Sequence, residues 1–445
     1  MNLPNIPNIK FVTESPKTYK AIMAGILSAI IIIIIGLAFF IFTDKNTNIP
    51  APTLGPTTLE YWGISETSAE MKPLIDEYQK LNPNIKINYS QKNFDDNLSR
   101  YKSTLYLRLK DGSGPEIFKI HSTWTPMFLQ QLSIAVGDIS DIISYRKRFY
   151  PVVEDQCVTT SAQVYCVPLM YDGLTLLYNK NMFDAEGLKP PSTWEEVRIA
   201  ALKLVRYENG QISRGGIAIG TGQNVSNSSD ILGLMLNQSG VEIPDALDTD
   251  AAAIALSYYR NFAIKDKVWN STTQNSILAF ATEKTAMAFA TSDQIRKILE
   301  INPTLQFISA PVPQLPNLSG GTTNNEWATF WVEAVNADIP EDKQKASWEF
   351  INWMSKPEQQ AKLFVEKSKL QKFGNIYSDK TLEDNLFGSK YLKAILDGAP
   401  NAKTSIIADN VGNDEYSSII KSAIDSPAES SAALKVAKAE LLKLN

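Results

Sequence analysis

The sequence is poor in the residues that most enzymes and metal sites use. Its 445 residues include one histidine, His121, and two cysteines. A single imidazole excludes zinc sites built on histidine and most histidine-dependent acid–base chemistry. The net charge is −5, and no block of Lys and Arg with interleaved aromatic residues occurs. Neither a cofactor nor a nucleic-acid partner is therefore expected.

The chain is rich in apolar residues, and these recur at the spacings of strands and helices. A hydrophobic fraction of 44% over 445 residues is more than one ordinary core needs, so two lobes are expected. TLEYW, IKINYSQ and EIFKI have the pattern of short strands, whereas MKPLIDEYQKL and residues 98–109 have helical spacing. Two overlapping capping boxes in PSTWEEV mark another helix start, with Pro73 expected in the first turn of the earlier helix. This alternation favours an α/β fold with mainly parallel sheets.

The N-terminal region predicts the compartment. Residues Ala21–Phe42 form an uncharged apolar run that would be about 33 Å long as a helix, enough to span a bilayer. Lysines concentrate before the run, which predicts a cytoplasmic N-terminus at 1–20 and an extracytoplasmic remainder. A cleaved signal peptide is the alternative, but the run is long for one and no Ala-x-Ala-like site follows it. We therefore expect a single-pass membrane anchor, followed by a Pro-rich linker at 43–57.

Six stretches occur in a characteristic order: YWG, LIDEYQKLNPNIKI, GSGPEIF, VYCVPLMYDGLTLLYNKNMFDAEGLKPPSTWEEV, EKTAMAF and ASWEFINWMSKPEQQ. Over roughly residues 58–440 they resemble the sugar-binding family of extracellular solute-binding proteins, the relatives of maltose-binding protein. The resemblance implies a type II periplasmic-binding-protein fold, in which two α/β lobes close on a ligand and present it to the permease subunits of an ABC importer. A monomer without catalytic activity is expected.

The same resemblance implies a division of the chain between the lobes. Lobe 1 is expected to contain 58–168 and 322–370, and lobe 2 to contain 169–310 and 371–445. Hinges are expected near 169–175 and 310–326.

Candidate ligand-binding residues follow predicted strands, because ligands of α/β sheets lie beyond the C-terminal ends of strands. A sugar needs flat aromatic faces for its C–H surface and polar side chains for its hydroxyls. Trp62 and Glu66 follow the first strand, although Trp62 is equally compatible with a core position. Trp124 follows EIFKI, whereas His121 in the same loop is expected to be structural.

The remaining candidates lie near the expected crossings and in the second lobe. Tyr171 and Asp172 occupy the first crossing, where the resemblance aligns Asp172 with an acidic hinge residue that accepts sugar hydroxyls. Asp293 stands where relatives often carry a stacking tryptophan, so this chain departs from the pattern there. Trp327 occupies the second crossing as a stacking candidate, and Tyr416 aligns with an aromatic residue of the cleft rim.

Two other classes of function are alternatives to a solute-binding protein. A glycoside hydrolase would need two carboxylates about 5 to 9.5 Å apart, and no acid in the neighbouring sequence pairs with Asp172. An anchored sugar-sensing or adhesion ectodomain is the stronger alternative, because a membrane anchor would serve it equally well. Import is the preferred interpretation, and the identity of the ligand is left open.

The two cysteines, Cys157 and Cys166, lie in CVTTSAQVYC. Disulfides persist outside the cytoplasm, and no further cysteine or histidine is close enough in sequence to complete a metal site. A hairpin centred between Ser161 and Ala162 would place the cysteines opposite each other. We therefore expect a disulfide, with two free thiols as the alternative.

Overall fold

The computed structural model describes residues 56–92, 98–316, 320–386, 388–408 and 414–444. The predicted cytoplasmic segment, the predicted span Ala21–Phe42 and nearly all of the predicted linker lie outside these residues. Among the described residues, no helix is both long and apolar enough to cross a bilayer.

The strands and helices alternate along the chain. In chain order the strands are β1 (Thr57–Gly63), β2 (Ile85–Gln91), β3 (Ile117–His121), β4 (Met170–Tyr171), β5 (Thr175–Asn179), β6 (Arg206–Glu208), β7 (Gln211–Arg214), β8 (Met287–Ala290), β9 (Phe307–Ala310), β10 (Glu326–Trp327), β11 (Trp331–Val335), β12 (Ile376–Tyr377) and β13 (Ala402–Lys403). The helices are α1 (Ser68–Leu81), α2 (Leu98–Lys110), α3 (Thr125–Phe128), α4 (Ile142–Arg148), α5 (Pro151–Cys157), α6 (Lys180–Ala185), α7 (Trp194–Leu204), α8 (Ser228–Gln238), α9 (Asp250–Ile264), α10 (Ser276–Ala281), α11 (Ser292–Ile301), α12 (Glu341–Ser355), α13 (Pro357–Leu370), α14 (Lys393–Gly398), α15 (Glu415–Asp425) and α16 (Ser430–Leu444).

The first sheet has four strands in the order β11-β3-β1-β2. β1 pairs in parallel with both β2 and β3, and β11 adds to β3 in the antiparallel direction. The predicted strands TLEYW, IKINYSQ and EIFKI are β1, β2 and β3, so these three predictions are confirmed.

The second sheet differs from the expectation of mainly parallel strands. Its order is β8-β5-β9, and both neighbours run antiparallel to β5. β5 begins four residues after the end of β4, and β4 pairs with β12 outside this sheet. β5 therefore enters the second sheet directly from a crossing between the two cores. The parallel expectation was wrong here because a strand that enters without a crossover helix need not share the direction of its neighbours.

Local capping explains two helix starts. Thr67 and Glu70 form a capping box that begins α1, so Pro73 lies in the second turn rather than in the first as expected. Thr193 and Glu196 form the box that begins α7, which confirms one of the two overlapping boxes. Ser192 instead donates its backbone N–H and its hydroxyl to the Glu196 carboxylate.

The buried apolar side chains form two cores. The first core runs from Leu59 to Tyr171 and resumes from Ala328 to Ala402. The second core runs from Leu174 to Trp327 and resumes at Ile407. The chain therefore crosses between the cores three times. Buried residues between Ile376 and Ala402, in the stretch assigned to lobe 2 from sequence, pack in the first core. The hinge positions stay a prediction.

The two cysteines form the predicted disulfide, with their Cα atoms 5.0 Å apart. The predicted hairpin around them was wrong in its details. Cys157 is the last residue of α5, and an antiparallel bridge joins Val158 to Val164, which centres the turn on Ser161. Tyr165, not Cys166, lies opposite Cys157 and donates its N–H to the Cys157 carbonyl at 2.8 Å. The disulfide thus ties a helix end to an extended segment.

Candidate functional site

A cavity of about 20 Å³ lies where the two cores meet. Tyr171, Phe330 and Trp331 belong to the first core, and Asp293 lies in the first turn of α11, whose apolar face packs in the second. The complete lining is Ser65, Met170, Tyr171, Asp172, Asp293, Phe330, Trp331 and Asn375. Aromatic faces and polar groups therefore converge on one cavity, which is the combination that a small polar ligand requires.

A second cavity of about 330 Å³ adjoins the first and shares Ser65 and Asp293 with it. Charged side chains dominate its walls. Its lining is Ser65, Asp293, Arg296, Lys297, Glu300, Lys367 and Gln371. We call the two cavities together the cleft. One wall comes from the first core and the other from α11.

Asp172 lies in the first crossing and joins the two walls. Its carboxylate accepts the backbone N–H of Ser292 at 3.0 Å and the Ser292 hydroxyl at 2.7 Å. Ser292 is the first residue of α11, so the carboxylate occupies the positive end of that helix. Burial raises the pKa of Asp172, and the hydrogen bonds from Ser292 and Gly173 oppose the increase. The side chain predicted to bind sugar thus also holds α11 in place.

Glu66 does not line the cleft and is instead buried behind it. Its carboxylate pairs with Lys119 at 2.5 Å and with Lys367 at 3.6 Å. Burial alone would raise the pKa of Glu66, but the two ammonium groups lower it to about 2. Because Lys367 lines the cleft, Glu66 connects the cleft wall to Lys119 in the first sheet.

The network continues across that sheet. Lys119 also pairs with Glu333 at 3.3 Å, and Tyr61 donates its hydroxyl to Glu333 at 2.8 Å. Burial raises the pKa of Glu333 to about 7, although Lys119 opposes the increase. Removing Lys119 would leave the buried carboxyl of Glu333 without its cation, so we interpret the network as support for the cleft wall.

Trp124 and Tyr416 meet in a separate cluster at the same boundary between the cores. The indole N–H of Trp124 donates to Asp414 at 3.0 Å. The Lys102 ammonium lies 3.7 Å from Asp414, 5.3 Å from the Trp124 ring centroid and 4.4 Å from that of Tyr416. Trp331 packs edge-on against Trp124 with ring centroids 5.3 Å apart, so it connects this cluster to the cleft.

Two predicted tryptophans lie away from the cleft lining. Trp327 is buried in the second core, where its indole N–H donates to Asp230 at 2.8 Å and its ring leaves no room for a Cβ at Gly233. These contacts occupy the surfaces that a stacked sugar would need. Trp62 lies on β1. The ammonium of Lys92, the residue that follows β2, lies 4.2 Å from the centroid of the Trp62 ring.

Sequence reasoning missed several residues of the cleft. Trp331 packs in the first core and also lines the smaller cavity, a second role that the sequence did not indicate. Arg296 and Lys367 lie on helices that carry no local motif, and Asn375 precedes a two-residue strand. A signal was available only for Arg296, which lies six residues after the end of β8, on the helix that follows this strand.

Two α/β cores with three crossings and a polar, aromatic-lined cleft between them define a two-lobed ligand-binding protein. Residues 62–361, about two thirds of the chain, match the model of the bacterial extracellular solute-binding protein family. The chain belongs to this family, and the resemblance seen in the sequence is confirmed.

Curated relatives and solved structures agree with this assignment. A protein of Brucella abortus (strain 2308) that is named as a binding protein is 25% identical over 279 residues, which is 58% of this chain and 64% of that protein. An ABC transporter solute-binding protein of Thermotoga lettingae TMO, bound to α-D-tagatose, has a TM-score of 0.67 at 20% identity and covers 87% of this chain and 99% of its own. The sugar-binding protein MalE of Xanthomonas citri has a TM-score of 0.68 at 17% identity, over 87% and 97%. At these identities the structural similarity shows the fold.

Proposed function

We propose that this protein captures a carbohydrate between its two lobes and delivers it to an ABC importer. The observation that carries the proposal is the cleft, where Tyr171, Phe330 and Trp331 present aromatic surfaces beside the polar groups of Asp172 and Asn375, next to the larger cavity. Aromatic faces suit the C–H surface of a sugar ring, and the polar groups suit its hydroxyls. The sugars named for the solved relatives support the same class of ligand.

The proposed mechanism is a shift from an open to a closed arrangement of the lobes about the crossings. Direct contacts already join the two cores, including Asp172 to Ser292 and Trp124 to Asp414. A ligand that touches both walls adds contacts that only the closed arrangement provides. It therefore favours closure by the difference between its affinities for the two states.

Membrane anchoring through Ala21–Phe42 is part of the proposal, as is an extracytoplasmic position for the lobes. The disulfide supports this compartment, because disulfides persist outside the cytoplasm. An anchor would keep the binding lobes near the permease subunits, whereas an unanchored binding protein would diffuse freely.

A binding screen tests the ligand class. The full chain is titrated with mono- and oligosaccharides while its thermal unfolding is followed, because a ligand of the native state raises the melting temperature. For a sugar that binds, Trp331→Ala is expected to weaken affinity at least tenfold, whereas Trp327→Phe leaves affinity within about twofold. If no sugar raises the melting temperature, carbohydrate capture is contradicted.

Uptake measurements test the link to transport. Cells with and without the gene are given the radiolabelled sugar identified in the screen, and accumulation is expected to fall when the protein is absent. Equal accumulation in both would contradict import. It would favour the anchored sensor or adhesion ectodomain instead.

A further inference from the structure

Among the described side chains that line the cleft, three buried polar atoms lack a hydrogen-bond partner, and one of them, Oδ1 of Asp293, lies in an ion pair with Arg296. The other two are Nη1 of Arg296 and Oδ1 of Asn375, whose side chains are 4% and 9% exposed. Arg296 projects from α11, which packs on the second core, whereas Asn375 lies just before β12 in the first. Arg296 lines the larger cavity and Asn375 the smaller one. The unpaired atoms therefore belong to opposite walls of one cleft.

The Arg296 guanidinium is held in place by its other contacts. Nη2 forms an ion pair with Asp293, one turn earlier in α11. The guanidinium carbon lies 5.3 Å from the ring centroid of Phe373. A buried donor without a partner is costly, so fixing the group with Nη1 unpaired is unfavourable unless another molecule supplies an acceptor.

The charges around Arg296 decide what kind of acceptor fits. Besides Asp293, the carboxylates that act on the guanidinium are those of Asp172, Glu70, Glu66 and Glu300. Together with Asp293 these make five carboxylates, one more than the four cationic groups nearby, which are Arg296, Lys297, Lys367 and Lys119.

An acidic ligand group bound at Nη1 would enter this negative surrounding and be repelled at short range. An uncharged hydroxyl oxygen could accept the same hydrogen bond without that repulsion. A hydroxyl can also donate to the Asn375 oxygen, since it is both donor and acceptor.

We propose that Arg296 and Asn375 bind one uncharged, polyhydroxylated ligand from opposite walls, with Arg296 Nη1 as donor and Asn375 Oδ1 as acceptor, and that the cleft rejects acidic sugars. The inference rests on the proposed function and deepens it by naming the ligand class and two binding residues. An arginine in a binding cleft ordinarily indicates an anionic ligand. Here the carboxylates around Arg296 already compensate the charge of its guanidinium.

Isothermal titration of the full chain in mild detergent tests the inference with matched sugars. The neutral probes are galactose, glucose and maltotriose, and the acidic probes are galacturonate and glucose 6-phosphate. Arg296→Lys keeps the positive charge and removes the Nη1 donor, and Asn375→Leu removes the acceptor. Lys203→Gln is the control, because it removes an exposed charge from α7, which lines neither cavity of the cleft.

We expect at least one neutral probe to bind and each acidic counterpart to bind at least tenfold more weakly. Arg296→Lys and Asn375→Leu are each expected to weaken binding of the neutral probe at least tenfold, with Lys203→Gln within about twofold. Melting temperatures of the unliganded variants report folding. A variant that unfolds is replaced in the comparison by the other, since each alone tests one wall.

The failures of the two proposals are distinguishable. Binding of a neutral probe that survives both substitutions in folded protein overturns this inference and leaves carbohydrate capture intact. Tighter binding of an acidic probe than of its neutral counterpart also overturns it. If none of the probes binds, the proposed capture of these sugars fails, and this inference fails with it.

Discussion

The indole N–H of Trp124, in the first core, donates to Asp414, which caps helix α15 of the second core, across 3.0 Å. Lys102 completes this contact from α2, with its ammonium buried beside the Asp414 carboxylate and two aromatic rings. Burial lowers the pKa of Lys102, and Asp414 opposes the decrease. The contact joins the two cores directly.

Lys102→Met should therefore favour the open arrangement. The substitution keeps most of the side-chain volume but removes the cation between the cores, so the unliganded protein is expected to have a larger radius of gyration in solution scattering. Affinity for the bound sugar should fall about threefold to tenfold, since ligand binding must then supply more of the closure energy. Lys110→Met on the exposed side of the same helix is the control. An unchanged radius and affinity would contradict a role of Lys102 in closure.

Asp172→Ala should reduce both stability and ligand affinity. The carboxylate caps α11, and loss of a helix cap costs roughly 1 kcal/mol of unfolding free energy. The same helix carries Asp293 and Arg296 into the cleft, so affinity should fall as well. Asp172→Asn keeps one acceptor oxygen and is expected to retain more of both, as measured by chemical unfolding and titration. Equal losses for Ala and Asn would show that the charge, and not the cap, is what matters.

Trp327→Ala should act on stability. The ring fills space in the second core and its N–H bonds to Asp230, so the expected loss is about 3 to 5 kcal/mol of unfolding free energy. Trp327→Phe retains much of the packing and should lose about 1 to 3 kcal/mol for the unpaired acceptor. Denaturant titration measures both losses. Full stability together with lost sugar binding in either variant would restore the stacking role suggested by the sequence.

Removal of the disulfide should be moderately destabilising. Cys157 and Cys166 close a loop with a sequence separation of 9, for which chain entropy predicts roughly 2 to 3 kcal/mol. Reduction should add two daltons to the intact mass and lower the melting temperature. The double variant Cys157→Ala, Cys166→Ala should be equally stable with and without reductant. Were the reductant to lower its melting temperature too, the effect on the wild type could not be assigned to this bond.

Glu326 should make stability depend on pH. Burial raises its pKa from the ordinary 4.5 to about 8, so the folded state holds a proton that the unfolded state releases. This contribution is fully present below pH 4.5 and is lost as the pH rises through 8.

Glu326→Gln mimics the protonated form. Between pH 5 and pH 8 its unfolding free energy is expected to fall less than that of the wild type, by on the order of a few kcal/mol. Denaturant titrations at the two values measure the difference. If the unfolding free energies of the wild type and of Glu326→Gln changed with pH in the same way, the pKa of Glu326 would be the same in the folded and unfolded states.

The sequence contained enough to predict the family, the first three strands, one capping box and the disulfide, because each depends on a local pattern. The residues of the cleft are brought together by contacts between parts of the chain that are far apart in the sequence. Trp327 and Trp331 lie four residues apart near one crossing. Only the tertiary structure shows that Trp327 packs against Gly233, whereas Trp331 packs against Trp124 and lines the cleft. Asn375 reaches the cleft because β12 pairs with β4, some 200 residues earlier, and no local pattern encodes that pairing.

The three crossings have a consequence for synthesis of the chain. The first core is completed by β11 and by residues up to Ala402, and the second by residues after Ile407. A nascent chain that stops at Trp327 therefore lacks β11, which pairs with β3 at one edge of the first sheet. Neither core can reach its final packing before most of the polypeptide has left the ribosome, so folding of both should finish late and nearly together.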